Sequence, residues 1–392
     1  MYDLLILYGA VSMTHLFIQL HFAHSHYIKK QVQKEGGRIS PSVAIIIPSY
    51  NEQAGALSRC VESCLNQNYA GKIKVLLLDD GSRDAGAFES VGAQFSSNPM
   101  FEAIRFERNR GKREVQKEGF DRSDNSDVIV TIDSDTVLHA DAIFRLVQPF
   151  CDPHIGAVTG DVHAIKTPRL LSRLIDVRYW TAFNQERSAQ SLFSSVLCCS
   201  GPLSAYRTEI IRKVKWRYVN QAFLGRKCTY GDDRHLTNLV LEDGYGVVFE
   251  PYAKAKTGIP ENFTGFLRQQ ARWNRSFYRE MLWTFRLIWK RRFNVPPYMA
   301  YDLLMQAILP FFLIGTITFM LTRSWNESWI YFISYLSILV GIALIRASYA
   351  FLRTGDRNFF LFPLYAFIHI IFLVPLRIFA LFTLNEKKWG TR

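Results

Sequence analysis

Val128-Ile-Val-Thr-Ile-Asp-Ser-Asp-Thr136 is the stretch on which the fold turns. Its apolar start reads as a short buried strand, Val128 to Ile132. The strand runs into two carboxylates one residue apart, Asp133 and Asp135. Ligands of parallel sheets gather at the carboxyl ends of the strands. Two hard oxygen donors at such an edge suit Mg²⁺ or Mn²⁺, and an ion of that kind usually serves a phosphate. Taken alone, an Asp-Ser-Asp triplet is more often a turn or a helix cap, so its meaning depends on the rest of the chain.

Similar elements precede it. Val43-Ala-Ile-Ile-Ile-Pro-Ser-Tyr-Asn-Glu52 is an apolar run entering a polar turn, with a helix expected through Leu65. Lys74-Val-Leu-Leu-Leu-Asp-Asp-Gly-Ser82 is a second strand tipped with acids, Ile104 to Phe106 a third, and Asn109-Arg-Gly-Lys-Arg113 opens a further helix. Strands alternating with helices predict an α/β fold with a doubly wound, mostly parallel sheet. Neither a G-x-G-x-x-G turn nor a Walker lysine loop is present, so nothing supports a dinucleotide-binding fold or a P-loop.

The 392 residues exceed one ordinary domain. A mean hydropathy of +0.01 averages a soluble-looking middle with apolar ends. Leu4 to Phe22 carries no full charge and is followed by Lys29, Lys30, Lys34 and Arg38. It lacks a basic start and a small-residue cleavage site, so it reads as an anchor whose basic flank puts the next domain in the cytoplasm of an inner-membrane protein. Tyr301 to Leu321 and Trp329 to Leu352 are further spans, the second carrying Arg346, which either faces a polar path or snorkels to the interface. Phe359 to Leu384 is apolar but broken by Pro363 and Pro375. Crossing there would put the C-terminus outside, so a re-entrant or partly interfacial course is expected. Two mixed helical stretches, Arg169 to Gln190 and Phe263 to Trp289, lie either in the membrane interface or against the sheet.

The expected organisation is an N-terminal anchor over 1–28, a linker over 29–41, an α/β domain over 42–262, an interfacial helix region over 263–298 and a membrane region over 299–392 with a cytoplasmic tail. A formal charge of +13 admits nucleic acid, anionic lipid or a phosphorylated substrate as partner. No basic-aromatic nucleic-acid module appears, which leaves the lipid bilayer and the phosphorylated substrate. The six cysteines form no C-x-x-C pair and no zinc spacing with histidine, and read as reduced thiols.

Asp79 and Asp80, Asp133 and Asp135, and Gly231-Asp-Asp-Arg234 each bring carboxylates beside Gly, Ser or Arg. Such a cluster repels itself unless a cation sits within it. Lys112 and Arg113 are placed to balance a diphosphate. A base, a metal and a leaving diphosphate together make group transfer from a nucleotide-activated donor.

The ordered set Pro48-Ser-Tyr-Asn-Glu52, Asp79-Asp-Gly-Ser82, Gly111-Lys-Arg113, Asp133-Ser-Asp135, Gly231-Asp-Asp-Arg234 and Gln269-Gln-Ala-Arg-Trp273 resembles the processive family-2 glycosyltransferases, which include cellulose, chitin and hyaluronan synthases. Each motif alone is weak; six in order over residues 40–290 are specific. Cys199-Ser-Gly-Pro-Leu-Ser-Ala-Tyr-Arg207, Asn220-Gln-Ala-Phe-Leu-Gly225 and Trp389-Gly-Thr-Arg392 resemble the bacterial class I hyaluronan synthases, with the rhizobial chitooligosaccharide synthases as the near rival. One N-terminal span rather than two departs from the usual hyaluronan synthase.

The resemblance implies a GT-A-type domain with UDP-sugar donors and an inverting mechanism. Pro48, Tyr50, Glu52 and Asp80 would line the uridine side, and Lys112 the donor's nucleotide end. Asp133 and Asp135 would hold Mg²⁺ or Mn²⁺, and Arg272 the diphosphate. Asp233 would be the general base, with Asp232 orienting it or bonding Arg234. Cys199, Gln269 and Trp273 would lie on the acceptor side, while Trp389 and Arg392 would close over the nucleotide. The implied reaction makes hyaluronan from UDP-GlcNAc and UDP-GlcA and passes the growing polysaccharide across the bilayer. The rivals are a chitooligosaccharide synthase using UDP-GlcNAc alone and a non-catalytic nucleotide-sugar-binding membrane protein.

Overall fold

The computed structural model describes residues 3–32, 38–290 and 296–386. Among the described residues there are ten strands: β1 (Val43–Ser49), β2 (Ile73–Asp79), β3 (Phe101–Arg105), β4 (Val128–Thr131), β5 (Val137–Leu138), β6 (Ile155–Ala164), β7 (Ser204–Arg207), β8 (Ala222–Phe223), β9 (Arg226–Lys227) and β10 (Gly246–Thr257). Eight form one sheet in the order β3-β2-β1-β4-β7-β6-β10-β5, and β8 and β9 make a separate hairpin. The centre of the sheet is covered on both faces, so Ile45, Ile46, Ile47, Leu76, Leu77, Leu78, Ile129 and Val130 are all 0% exposed. Continuous Val, Ile and Leu runs of this kind suit strands of a covered parallel sheet.

β3, β2, β1 and β4 run parallel, with Ser49 opposite Asp79 and Val43 opposite Val128. The turns after Ser49, Asp79 and Thr131 therefore emerge along one edge. β4 stops one residue short of the expected strand, and the Ile132 amide still donates to the Ile46 carbonyl at 3.1 Å. Two strands depart from a purely parallel arrangement. β7 is antiparallel to both β4 and β6, and β5 pairs antiparallel with the end of β10. Because β7 starts where β4 ends, Ser204 sits opposite Thr131, and the loop leading into β7 is delivered to the edge that carries Asp133.

The stretch 169–190 does not lie at an exposed interface. It forms Leu170–Thr181, a π-helical turn Ala182–Arg187 and Ser188–Ser191, buried along most of its length. Trp180 meets Phe359 edge-on at 4.9 Å and Tyr349 at 6.2 Å, so this helix is wedged between β6 and the apolar C-terminal helices. Phe263–Lys290 is one helix with buried Ser276, Arg279, Glu280 and Thr284 on one side and exposed Leu282 and Trp289 on the other.

Among the described residues four helices are long and apolar enough to cross a membrane: Leu4–Val32, Pro297–Asn326, Ile330–Thr354 and Arg357–Phe382. The first is pinned to β10 by the Lys30–Glu250 ion pair at 2.7 Å. The fourth behaves differently from a simple crossing. Just before and inside its start, Lys166 reaches Asp356 at 3.4 Å and Arg173 donates to Asn358 at 2.6 Å. Just past its end, Arg275 donates to the Thr383 hydroxyl at 2.9 Å and the Tyr230 hydroxyl to the Glu386 carbonyl at 2.7 Å. Both ends thus rest on the α/β domain. Between them Leu361, Tyr365, Ile368, Leu373, Leu376 and Leu381 pack into the domain's own core. The π-helical turn His369–Leu373 adds a residue midway and keeps that stripe facing the domain. On the other side, Val374 joins Leu5, Tyr8 and Leu313 among the spans.

This arrangement predicts a labelling pattern. Cys151 is exposed on the α/β domain and serves as the reference. With an impermeant maleimide applied to either membrane face, Asn385→Cys labels from the same face as Cys151 and Asn326→Cys from the opposite one. Labelling of Asn385→Cys together with Asn326→Cys would refute the course described for residues 357–382.

Candidate active site

The β1 and β2 turns lock together first. Asp79 is fully buried and accepts from the Ser82 amide at 2.9 Å and the Ser82 hydroxyl at 2.5 Å. The same hydroxyl accepts from the Asn51 amide at 2.8 Å, and Asn51 adopts a left-handed φ of 50°, which asparagine tolerates. Pro48 lies within β1 opposite Leu78. Glu52 accepts from the Ser134 hydroxyl at 2.7 Å, tying the β1 turn to the Asp-Ser-Asp triplet, and Tyr50 lies between Pro48 and Glu52 on that turn.

Asp80 takes the Arg110 and Gly111 amides on its two oxygens, at 2.6 and 2.9 Å. Burial pushes its carboxyl above the ordinary value and those amides pull it back. The fixed loop turns at Gly111, whose φ of 91° is open to glycine, and launches Lys112–Asp121. Lys112 then extends its ammonium to Asp133 at 2.7 Å and Asp232 at 3.1 Å. Burial alone would lower this lysine, but the two carboxylates outweigh it and hold the group well above its usual range.

Arg113, one residue later, points the other way. It donates to the Tyr218 carbonyl at 2.8 Å and the Gln221 side chain at 2.6 Å, and is 4% exposed. The expectation that it balances a diphosphate is corrected: one helical step of about 100° puts consecutive side chains on different faces, and only Lys112 reaches the acidic edge.

Gly231, at a φ of 82°, starts Asp232–Glu242 with both acids in the first turn, where the helix dipole favours negative charge. The pair is pushed apart electrically. Against the cost of burial, Lys112 and Arg113 hold Asp232 below the usual carboxylate range. Burial, and then the charge on Asp232, raise Asp233. Asp233 accepts from the Arg234 amide at 2.8 Å and from the Cys198 thiol at 3.5 Å. Two neighbouring carboxyls with opposed shifts are how folds separate acid–base roles.

The loop entering β7 completes the edge. A Cβ on Gly201 would lie 2.9 Å from an Asp133 oxygen, and one on Gly258 would lie 2.8 Å from an Asp135 oxygen. Glycine at both places keeps the carboxylate faces clear. Among the described residues no group of three or more His, Cys, Asp and Glu forms a ready cage. Two carboxylates with room for water and phosphate oxygens is the donor set that Mg²⁺ and similar ions accept, so Asp133 and Asp135 fit such an ion. Cys199 is fully buried, its amide donating to Thr237 at 2.8 Å, and burial drives its thiol far up. Cys198, not Cys199, faces Asp233, and burial raises it to about 11, so neither is a ready nucleophile.

Arg187 holds this loop. It donates to the Cys198 carbonyl at 3.0 Å and the Ser200 hydroxyl at 2.8 Å from the π-helical turn. Nothing in the sequence marked it, because its reach depends on that turn. From Phe263–Lys290, Arg272 faces Asp232, Asp233 and Asp133, which offset the lowering that burial imposes on it. Trp273 is 39% exposed, its ring 6.2 Å from buried Tyr179. Gln269 lies one turn earlier on the same helix. The structure therefore gathers Lys112, Asp133, Asp232, Asp233 and Arg272, sets Asp135 on the turn that carries Asp133 and uses Asp80 to fix the loop behind Lys112, while Trp389 and Arg392 lie outside the described residues.

Residues 41–276 match the family model described as Glycosyltransferase like family 2. An N-acetylglucosaminyltransferase of Azorhizobium caulinodans is 35% identical over 90% of this chain and 88% of its own. A hyaluronan synthase of Streptococcus pyogenes serotype M3 is 35% identical over 98% of this chain and 90% of its own. Among solved structures, the mannosyltransferase PcManGT of Pyrobaculum calidifontis, in complex with GDP-Man and Mn²⁺, superposes with a TM-score of 0.57 at 18% identity, covering 93% of this chain and 99% of that one. At that identity the likeness speaks for the GT-A-type fold.

The two neighbours on the Gly111 loop predict opposite phenotypes. Arg113→Met strands buried carbonyls and Gln221, costing about 3 kcal/mol, and lowers the melting temperature while leaving UDP affinity unchanged. An unaltered melting temperature with weakened UDP binding would return Arg113 to the ligand site.

Proposed function

The chain belongs to glycosyltransferase family 2, and from that premise we propose that it is a membrane-embedded, inverting, processive transferase that polymerises GlcNAc from UDP-GlcNAc. The observation that carries the reading is the convergence of Asp133, Asp232 and Asp233 around Lys112 and Arg272 at one sheet edge. Pro48, Tyr50, Glu52 and Asp80 shape the uridine side of the pocket, Asp80 by fixing the Gly111 loop. Arg272 and Lys112 meet the diphosphate. Asp133 and Asp135 would hold Mg²⁺ or Mn²⁺, which would neutralise charge developing on the leaving group.

Asp233 takes the proton of the acceptor hydroxyl. Its raised carboxyl is a better base than an ordinary aspartate, and Asp232, anchored to Lys112, keeps the charge pattern that raises it. One direct displacement with one base inverts the anomeric centre. Trp273 offers a flat apolar face to the acceptor sugar, Gln269 flanks it, and Cys199 with Cys198 backs the same pocket. Lys29 and Lys30 at the end of the first helix put the α/β domain on the cytoplasmic face of the plasma membrane, and the growing chain leaves through the spans.

A second reading is hyaluronan synthesis with UDP-GlcA as alternate donor. It rests on the likeness to the streptococcal hyaluronan synthase, at 35% identity. Membranes supplied with each labelled donor, singly and together, separate the two. Polymer from UDP-GlcNAc alone supports the first reading, and polymer requiring both donors supports the second. Incorporation from neither would contradict both.

Asp233→Asn is expected to lower transfer by about 10²–10⁴-fold while sparing UDP binding. Because the carboxyl must be ionised to accept a proton, and its folded value is raised, wild-type activity climbs as pH rises through a point above the ordinary aspartate range. Full activity in Asp233→Asn would remove the assignment.

A further inference from the structure

Lys112 is placed where a divalent ion is also wanted. Its ammonium lies 2.7 Å from Asp133, half of the proposed metal pair, and 3.1 Å from Asp232, next to the proposed base. Its side chain is 20% exposed, so it borders open space. The backbone behind it turns at Gly111, where an added Cβ would meet nothing within 4 Å. A lysine stem is flexible and its charge is a point, whereas Arg113 beside it is clamped by two acceptors. The site thus holds one movable cation bridging two carboxylates that would otherwise repel each other.

Two cations on one carboxylate repel, so Lys112 and a metal compete for Asp133. A diphosphate changes the balance, because its oxygens give the ammonium a second place to go. We propose that Lys112 is a built-in counter-cation that Asp133 exchanges for a divalent metal when the donor diphosphate arrives, so that metal and donor bind as a coupled pair. This rests on the proposed assignment of Asp133 and Asp135 to the metal. The coupling would hold the net charge of the acidic edge nearly constant, because the charge of the entering metal is balanced by the donor's diphosphate, and would disfavour a free metal ion at the site without donor.

Mn²⁺ binding to the full-length protein in lipid nanodiscs, followed by electron paramagnetic resonance with and without UDP, tests it. In the wild type, UDP should raise Mn²⁺ affinity by roughly 5–150-fold, the span of ordinary coupling free energies. Lys112→Met should bind Mn²⁺ at least about fivefold more tightly than wild type without UDP, and lose most of the UDP effect. Lys112→Arg keeps the charge and should retain tight coupling. If Lys112→Met does not fold, the same substitution in an Asp232→Asn background, compared with Asp232→Asn alone, gives the same readout with the stranded carboxylate removed. Mn²⁺ binding to Lys112→Met no tighter than to wild type would overturn the exchange while leaving the metal site standing. Failure of Mn²⁺ to bind the wild type even with UDP would overturn the metal assignment as well.

Discussion

Charge compensation between Lys112 and the two carboxylates it bridges is the constraint on which the rest depends. Acids delivered by a strand turn and by a helix N-terminus cannot share a half-buried edge unless cations neutralise them. Lys112 joins Asp133 to Asp232 directly, and Arg272 faces the same group from a third element. The shifts of Asp232 and Asp233 follow from this placement: the acid nearer the cations is held down and its neighbour is pushed up. The raised carboxyl of Asp233 thus comes first from burial and then from the charge of Asp232 beside it.

The scaffold explains why these groups meet. Parallel strands deliver the turns after Ser49, Asp79 and Thr131 to one edge, and antiparallel β7 brings the Cys198–Gly201 loop to it. Arg187 secures that loop from a π-helical turn in which its neighbour Glu186 pairs with Arg178 at 2.7 Å. The helix carrying Arg178 is wedged against the C-terminal helices through Trp180. Site loop, π turn and membrane region are therefore one continuous piece of packing. Arg357–Phe382, resting at both ends on the α/β domain and packing Tyr365 and Leu373 into its core, extends that contact.

What could be read from sequence was the local part. Apolar runs ending in acids announce buried strands with ligands at their tips, so the Asp79 and Asp133 clusters were legible from residue order alone, while Asp233 was marked by its Gly-Asp-Asp-Arg motif at a helix start. Partners chosen by the tertiary fold were not. Lys112 and Arg113 are adjacent and both basic, yet one meets the acids and the other is clamped to Tyr218 and Gln221. Gly201 and Gly258 matter for the space they leave beside Asp133 and Asp135, a property of packing rather than of pattern. Cys199 stood out by motif, but the loop entering β7 turns Cys198 toward Asp233. The stretch 169–190 left the membrane interface and packing against the sheet equally open, because its mix of aromatics with charges is produced by either setting.

The central claim is that the dispersed carboxylates serve one metal-bound nucleoside diphosphate. Its most direct test is a structure determined with UDP and Mn²⁺, using anomalous scattering to locate the manganese. The account predicts one peak about 2.1 Å from oxygens of Asp133 and Asp135, with the diphosphate between that ion and Arg272. A manganese peak away from both aspartates, or UDP bound at another surface, would contradict it.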